Sequence, residues 1–213
     1  PTAPTNAGTY AVTANFTPGD TTNYNTLASS SSTNFTIDKA PTTTTVTCTG
    51  GPFTYTGVGI TPCSATVTGP GLSESVGVGY SNNVNAGTAT ASANYAGAAN
   101  YFGSSDSKNF TIDKANLTLS VGNSPATYNG SQQAASIVAT GPAGNVPGAA
   151  SNISYDLSAV EPTNAGSYAV LADFAPGDTT NYNGVIGGDA GSFVIQPAAT
   201  ATTLTCAPGP FTY

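Results

Sequence analysis

Residues 162–174 read Pro-Thr-Asn-Ala-Gly-Ser-Tyr-Ala-Val-Leu-Ala-Asp-Phe, and residues 4–16 read Pro-Thr-Asn-Ala-Gly-Thr-Tyr-Ala-Val-Thr-Ala-Asn-Phe. After each Asn-Ala-Gly triplet, apolar side chains occupy every second position. A β-strand points successive side chains to opposite faces, so this alternation predicts a half-buried strand that follows a tight turn. The predicted inward residues are Tyr10, Val12, Ala14 and Phe16; Tyr168, Val170, Ala172 and Phe174; and, in a middle copy, Ala89, Ala91, Ala93 and Tyr95.

The Asn-Ala-Gly triplet recurs at a constant spacing. It begins at Asn6, Asn85 and Asn164, so successive copies lie 79 residues apart (85 − 6 and 164 − 85). A closing Phe-x-Ile pattern accompanies each copy, at Phe35, Phe110 and Phe193. A fixed period filled with short strand patterns predicts a tandem array of small all-β domains, each an immunoglobulin-like sandwich of about 79 residues. The two patterns together predict six aromatic core residues: Tyr10, Phe16, Phe35, Tyr168, Phe174 and Phe193.

Short joints separate the predicted repeats. We expect the C-terminal part of one repeat at 1–39, a repeat with a cysteine pair at 40–114, a repeat without cysteine at 115–197 and the opening strands of a further repeat at 198–213. The joints contain no Gly/Ser-rich tether, so neighbouring repeats are expected to be held semi-rigidly as a linear rod.

The chain begins inside one predicted repeat and stops inside another. Two arrangements fit this pattern: a segment of a continuous repeat array, or subunits in which the tail of one completes the head of the next by strand addition. By the two-repeat spacing, the head lacks a stretch equivalent to 116–158, and the tail at 198–213 is much shorter than that stretch. This comparison favours the continuous array.

Composition argues against several function classes. Only 6% of the residues are charged, and Lys39, Lys108 and Lys114 are the only basic ones beside ten acidic residues. Such a chain cannot neutralise a phosphate backbone, so we expect no nucleic-acid partner. No apolar run approaches the roughly 20 residues of a membrane helix, so we expect no membrane span in this segment. Without histidine or a repeated nucleophile motif, we expect no enzymatic activity, no catalytic residue and no cofactor.

Several further motifs recur in order along the chain. They are Tyr-Asn-Gly at 128–130, Gly-Asp-Thr-Thr-Asn-Tyr at 19–24 and 177–182, and Phe-Thr-Ile-Asp-Lys-Ala at 35–40 and 110–115. Together with the Asn-Ala-Gly strands, this set resembles the bacterial Ig-like tandem repeats of the MBG or YDG type. The middle repeat departs from the pattern, because Ala89 replaces the strand tyrosine. The resemblance implies a bacterial extracellular or cell-surface protein without enzymatic activity, and it implies no particular ligand.

The three cysteines suggest a disulfide in a chain of extracellular type. Cys48 and Cys63 lie 15 residues apart and flank a Gly/Pro-rich segment, and we predict a bond between them; free buried thiols are the alternative. The bond would compensate for the alanine-rich inward face of the middle repeat. Cys206 is the counterpart of Cys48 at the two-repeat spacing.

Recurrent aspartates and lysines allow two further interpretations. Asp20 and Asp178 in the Pro-Gly-Asp loops, with Asp38 and Asp113 at the joints, could hold calcium or could cap turns. Because no Asp-x-Asp cluster or Glu-rich loop brings several oxygens together, we expect turn capping and no metal site. An isopeptide bond from Lys39 or Lys114 to a neighbouring Asn or Asp is a further alternative, disfavoured because both lysines lie at joints.

Two function classes remain open. The first is a structural fibre or surface stalk, a mechanical spacer whose partners are neighbouring repeats or subunits joined head to tail. The second is an adhesin-type module that binds surface glycans or a receptor. Sugars stack on exposed aromatic rings, whereas the tyrosines and phenylalanines of this chain recur at positions compatible with a core, which favours the structural class.

Overall fold

The computed structural model describes residues 2–31, 33–206, 208–210 and 213. The described residues form β-strands, and the all-β prediction is confirmed. None of them forms a helix long and apolar enough to cross a membrane. Two compact units are present. Unit 1 comprises Pro1–Phe53, Gly59–Asn83 and Gly87–Ile112; unit 2 comprises Thr54–Val58, Val84–Ala86 and Asp113–Tyr213.

Unit 2 contains a four-stranded and a three-stranded sheet. Its strands are β12 (Thr118–Val121), β13 (Ala126–Thr127), β14 (Ile137–Gly141), β15 (Gly144–Asn145), β16 (Gly148–Tyr155), β17 (Gly166–Pro176) and β18 (Val185–Gln196). The larger sheet has the order β13-β18-β17-β16, and the smaller has the order β12-β14-β15. All pairs are antiparallel except β13 with β18, which is parallel.

The core of unit 2 lies between these two sheets. Val170, Ala172 and Phe174 of β17 are buried, as the alternation predicts, and Phe193 of β18 is fully buried. The smaller sheet contributes Leu119 to the same apolar cluster. The strand that follows the last Asn-Ala-Gly triplet therefore has the inward face predicted from its sequence, except that Tyr168, predicted as a core residue, is only half-buried against this cluster.

The described residues of unit 1 form eleven strands, two of which extend one residue beyond the unit. They are β1 (Gly8–Tyr10), β2 (Thr13–Phe16), β3 (Leu27–Ser31), β4 (Phe35–Ile37), β5 (Thr43–Cys48), β6 (Phe53–Thr54), β7 (Cys63–Gly69), β8 (Leu72–Val76), β9 (Val78–Ser81), β10 (Gly87–Tyr95) and β11 (Ser104–Asp113). The sheet orders are β6-β11-β10-β9, β5-β7-β8, β1-β4 and β2-β3.

Small side chains form much of the core of unit 1. The three alanines predicted to point inward from β10, Ala89, Ala91 and Ala93, are buried. β10 contacts β5 and β7 of the facing sheet. Phe110 of β11 is the largest buried side chain in this region, and its ring meets Phe53 and Tyr80 edge to face at centroid distances of 5.6 and 6.3 Å.

In both units, a tyrosine hydroxyl group of the four-stranded sheet binds a main-chain group outside that sheet. The Tyr80 hydroxyl accepts a hydrogen bond from the Cys63 N–H at 2.9 Å and donates to the Cys63 carbonyl at 2.8 Å. In unit 2, the Tyr155 hydroxyl accepts from the Ala135 N–H at 2.7 Å. These bonds satisfy main-chain groups that β pairing leaves free.

The predicted core positions of the first repeat are wrong. Phe16 is 63% exposed and Phe35 is 51% exposed, and Tyr10 is only half-buried. Their sheets, β1-β4 and β2-β3, are two-stranded, and the described residues provide no second sheet over that face. In unit 2, the counterparts Phe174 and Phe193 are buried because the β12-β14-β15 sheet supplies the opposite side of the core.

Part of the predicted domain scheme lies outside the described residues, namely Pro1 and Ser32 in the first segment and Ala207, Phe211 and Thr212 in the tail. Of the tail, residues 198–206 are exposed and form no strand. The two units also divide the chain differently from the predicted joints, because Thr54–Val58 and Val84–Ala86 of the middle repeat belong to unit 2.

Replacing Phe174 by alanine should lower the free energy of unfolding by about 3–5 kcal/mol, because it leaves a cavity between two sheets. The matched control is Phe16→Ala at the equivalent position of the first repeat, which should cost less than about 0.5 kcal/mol because that ring is exposed. Urea denaturation followed by circular dichroism measures both. Equal losses for the two variants would contradict this assignment of the core.

Candidate functional site

A disulfide joins Cys48, the last residue of β5, to Cys63, the first residue of β7. It is the pair predicted from the sequence. The two residues lie directly opposite each other in the antiparallel register, so the bond fixes the end of this strand pair at which residues 49–62 connect the two strands. Cys206 is exposed and free.

The aspartates of the Pro-Gly-Asp loops bind their own loops. The Asp178 carboxylate accepts hydrogen bonds from the N–H groups of Thr180 and Asn181, both at 3.1 Å, and from Asn181 Nδ2 at 2.8 Å. Asp20 makes the same three bonds with Thr22 and Asn23. Hydrogen bonds to a carboxylate favour its charged form. The side-chain bond from Asn181 is the main cause that holds the pKa of Asp178 below its usual value, and Asn23 does the same for Asp20.

These carboxylates act as turn caps, which is the interpretation that the sequence favours. Among the described residues, no group of three or more His, Cys, Asp or Glu side chains could hold a metal ion. Asp113 at its joint contributes its main chain, since its carbonyl accepts the N–H of Tyr55 at 2.9 Å.

Asn181 also binds the Asn-Ala-Gly turn of the middle repeat. Its side chain is buried, with 6% exposed. Its Oδ1 accepts the Ala86 N–H at 2.8 Å, and its Nδ2 donates to Asn85 Oδ1 at 3.3 Å. One amide thus uses its acceptor and its donor on two consecutive residues of the turn, all within unit 2.

Unit 1 contains the same arrangement between the first and middle repeats. Asn100 Oδ1 accepts the Ala7 N–H at 2.7 Å, and Asn100 Nδ2 donates to Asn6 Oδ1 at 3.0 Å. We name this arrangement, Asn100 with Asn6 and Ala7 or Asn181 with Asn85 and Ala86, the asparagine clamp. The atoms involved are the same in both units.

Main-chain bonds fix the joint residue beside each clamp. In unit 1, the Ala40 N–H donates to the Asn100 carbonyl at 2.8 Å, and the Ala40 carbonyl accepts the Phe102 N–H at 2.9 Å. In unit 2, Ala115 makes the equivalent bonds with Asn181 and Asn183, at 2.8 and 2.9 Å. Both polar main-chain groups of each joint alanine are therefore satisfied.

The joint lysines reinforce this arrangement. Lys39 Nζ donates to the Ala98 carbonyl at 2.9 Å, and Lys114 Nζ donates to the Thr179 carbonyl at 2.7 Å. An isopeptide bond would need a side-chain amide or carboxyl group as the partner of the amine, and the structure places a main-chain carbonyl there. The lysines therefore have the same noncovalent role at the two joints.

An aromatic contact completes the joint in unit 2. Tyr182, the residue after the clamp asparagine, is 6% exposed and meets Tyr55 edge to face at 5.3 Å. Burial, with the neighbouring Tyr55 as the next cause, raises the pKa of Tyr182. Gly57 has φ +82°, and a Cβ at this position would lie 2.8 Å from the Ala143 Cβ. A residue larger than glycine at position 57 would push this part of the chain away from Ala143.

The sequence contains both motifs of the clamp, but their spacing does not predict the contact between them. The sequence predicts a turn at Asn-Ala-Gly and a capped turn at the aspartate of Gly-Asp-Thr-Thr-Asn-Tyr, whereas the structure brings the triplet of one repeat against the Asn-Tyr pair of the next. A signal was present, because asparagine recurs at both positions in all three repeats. A turn alone would also accept other residues, such as aspartate or serine.

The fold and its joints define an all-β repeat protein. Its consecutive repeats contact each other through the asparagine clamp and the main-chain bonds of the joint alanine. Residues 117–205 match the family model of the MBG domain, which confirms the resemblance of the motifs in this segment to MBG-type repeats. The comparison with curated proteins finds no match.

Breaking the disulfide should destabilise the middle repeat by about 3 kcal/mol, because the bond restricts the unfolded chain across a 15-residue separation. We expect this loss on reduction and in a Cys48→Ser/Cys63→Ser variant, with the unfolding of unit 2 strands less affected. Cys206→Ser is the control and should leave stability unchanged. Thermal unfolding followed residue by residue by NMR separates the effects. Free thiols at both positions in protein isolated without reductant would contradict the bond.

The Asp178 cap should make its loop sensitive to acid. A carboxylate whose folded pKa is lowered contributes stability above its unfolded pKa, about 3.9, and this contribution is lost as the pH falls through the folded pKa. The Asp178 carboxyl carbon should titrate below that value, and the Asn181 amide signal should move with it. The counterpart loop has Gly97 in place of the aspartate, so the Asn100 amide should not respond. A midpoint at or above about 3.9 would contradict the cap.

Proposed function

We propose that this chain is the structural repeat region of an extracellular bacterial fibre or surface stalk. In this proposal, Ig-like β-sandwich repeats follow one another head to tail as a linear rod, and they act as a stiff mechanical spacer or filament-forming element. The observation that carries the proposal is the asparagine clamp, which occurs in both units with the same donor and acceptor atoms. The proposal assigns no catalytic residue and no cofactor.

The joint contacts support stiffness. A flexible tether leaves its main chain solvated, whereas Ala40 and Ala115 bond through both their N–H and their carbonyl groups. The clamp adds two side-chain hydrogen bonds at each joint. Each such bond contributes about 0.5–1.5 kcal/mol net, so bending a joint enough to break the set has a substantial cost. A spacer that keeps its length or transmits force needs joints that resist bending.

Two further observations support an extracellular setting. The MBG match suggests a repeat module of a surface protein. The Cys48–Cys63 bond is compatible with an oxidising environment, where disulfides form and persist.

The adhesin alternative rests on exposed aromatic rings. Phe16 and Tyr24 line one surface pocket in unit 1 and are 63% and 67% exposed. Their counterparts Phe174 and Tyr182 are buried within unit 2, at 4% and 6% exposed. The same side chains thus have packing roles where a repeat is covered, which favours the spacer over a sugar-binding surface. Glycan-array binding that is lost in Tyr24→Ala would instead support the adhesin.

The stiff-spacer proposal predicts the effect of Asn181→Ala. The variant removes the acceptor of the Ala86 N–H, so the hydrogen exchange of that amide should accelerate at least about tenfold. Nitrogen-15 relaxation should show the wild-type chain tumbling as one body, and the variant should show separate correlation times for the middle and last repeats. Thr180→Ala is the matched control, because its exposed side chain lies outside the clamp and the substitution keeps the bond from its N–H to Asp178. Independent tumbling of the repeats in the wild-type chain would overturn the stiff spacer.

A further inference from the structure

The Cys48–Cys63 bond closes a segment of the middle repeat that carries a ring of the joint. This closed segment comprises residues 49–62 and contains Tyr55. The half-buried Tyr55 ring meets the buried ring of Tyr182 edge to face at 5.3 Å. The disulfide therefore encloses the part of the middle repeat that contacts the last repeat.

The sequence of the closed segment gives it little order of its own. Glycine loses more conformational freedom on folding than any other residue. At the ends of the segment, the Thr49 N–H and hydroxyl groups both donate to the Pro62 carbonyl, at 3.2 and 3.4 Å. Holding Tyr55 in one place therefore requires further restraint. The four glycines of the segment are Gly50, Gly51, Gly57 and Gly59.

The last repeat has an apolar pair where the middle repeat has the disulfide. Val121 and Ile137 face each other at the ends of β12 and β14, as Cys48 and Cys63 do at the ends of β5 and β7. All four side chains are half-buried. The two pairs thus occupy equivalent places, and the middle repeat has a covalent link there.

An asparagine closes the equivalent segment of the last repeat. Asn123 Nδ2 donates to the Ala134 carbonyl at 2.9 Å, and Asn123 Oδ1 accepts the Ser136 N–H at 2.8 Å. Gly50 stands at the corresponding position of the middle repeat, two residues before a proline in both cases. Glycine has no side chain for such a bridge. The disulfide takes over the closure that asparagine provides in the last repeat.

The closed segment also binds the chain that leads into the clamp turn. The Ile60 N–H donates to the Asn83 carbonyl at 2.9 Å, and Asn83 Nδ2 donates to the Ile60 carbonyl at 3.1 Å. Asn83 lies two residues before Asn85, whose side chain takes part in the clamp with Asn181. The position of the closed segment is therefore linked to both contacts of this joint, the ring pair and the clamp.

We propose that the Cys48–Cys63 bond positions the closed segment for the joint, so that the Tyr55 ring keeps its contact with Tyr182. Tying the two ends together restricts the conformations that a glycine-rich segment can reach. The two cysteines act through Tyr55 and are positioning residues of the joint. The proposal rests on the proposed function, because it names a covalent link that keeps one joint of the spacer stiff.

A Cys48→Val/Cys63→Ile variant of the full chain tests the proposal. It copies the apolar pair of the last repeat, so it keeps the site filled and removes the covalent link. Nuclear Overhauser contacts between the Tyr55 and Tyr182 rings should be lost, and nitrogen-15 order parameters over residues 54–58 should fall from about 0.85 to below about 0.6. The Ala91 amide, between β9 and β11, should stay near about 0.85, which shows that the repeat is folded.

Reduction and reoxidation supply the rescue. In a Cys206→Ser background, which by itself should match the wild type, reduction by dithiothreitol should release the Tyr55 ring, and reoxidation should restore its contact with Tyr182. A bond that only stabilises its own repeat would leave this contact unchanged as long as the repeat is folded.

A second variant keeps the bond and lengthens the segment that it closes. Two glycines inserted after Gly50 should also release the Tyr55 ring, because a longer loop is less restricted. Unchanged ring contacts in the folded Val/Ile variant, or in the insertion variant if the former does not fold, would overturn the positioning role. The failure of the proposed function has a different signature, namely repeats that tumble independently in the wild-type chain.

Discussion

The carboxamide of asparagine carries a donor and an acceptor on one rigid plane, and the joints of this chain use both groups. The side chains of Asn100 and Asn181 each accept a hydrogen bond from an alanine N–H. Each also donates a hydrogen bond to the side-chain oxygen of the asparagine that precedes this alanine. The Ala86 N–H would otherwise be a half-buried donor without a protein acceptor. Aspartate could not form the same pair of bonds, since an ionised carboxylate has no donor, and serine has a single oxygen on a shorter side chain for both bonds.

The loops around the clamp hold its asparagines in position. In the last repeat, the Asp178 carboxylate binds Asn181 Nδ2 and the loop main chain, so the amide is oriented by a charged acceptor. The middle repeat has Gly97 at that position, with φ +89°, and Asn100 still forms its clamp. There the main-chain bonds of Ala40 and the bond from Lys39 Nζ to the Ala98 carbonyl hold the loop without a carboxylate cap. The aspartate adds rigidity to a geometry that the joint already specifies.

The middle repeat combines a thin core with a covalent bond. Ala89 and Ala91 are fully buried, where the last repeat has Tyr168 and Val170. Smaller side chains bury less apolar surface and therefore stabilise less. The Cys48–Cys63 bond restricts the unfolded chain of that repeat. Unit 2 has no such bond among its described residues, and the larger rings of Phe174 and Phe193 fill its core.

The sequence by itself determined the period, the strand alternation, the turns and the cysteine pair. These features are local, because residues two apart share one face of a strand and a triplet of turn residues bends the chain whatever lies beyond it. Val170, Ala172 and Ala91 are buried for this reason. The tertiary structure decided which faces are covered. Phe16 and Phe174 lie in the same local alternation of apolar residues, and only Phe174 lies beneath a second sheet. It also decided that Asn181 meets Asn85, since a contact between residues so far apart in the chain depends on how neighbouring repeats pack, which no local pattern encodes.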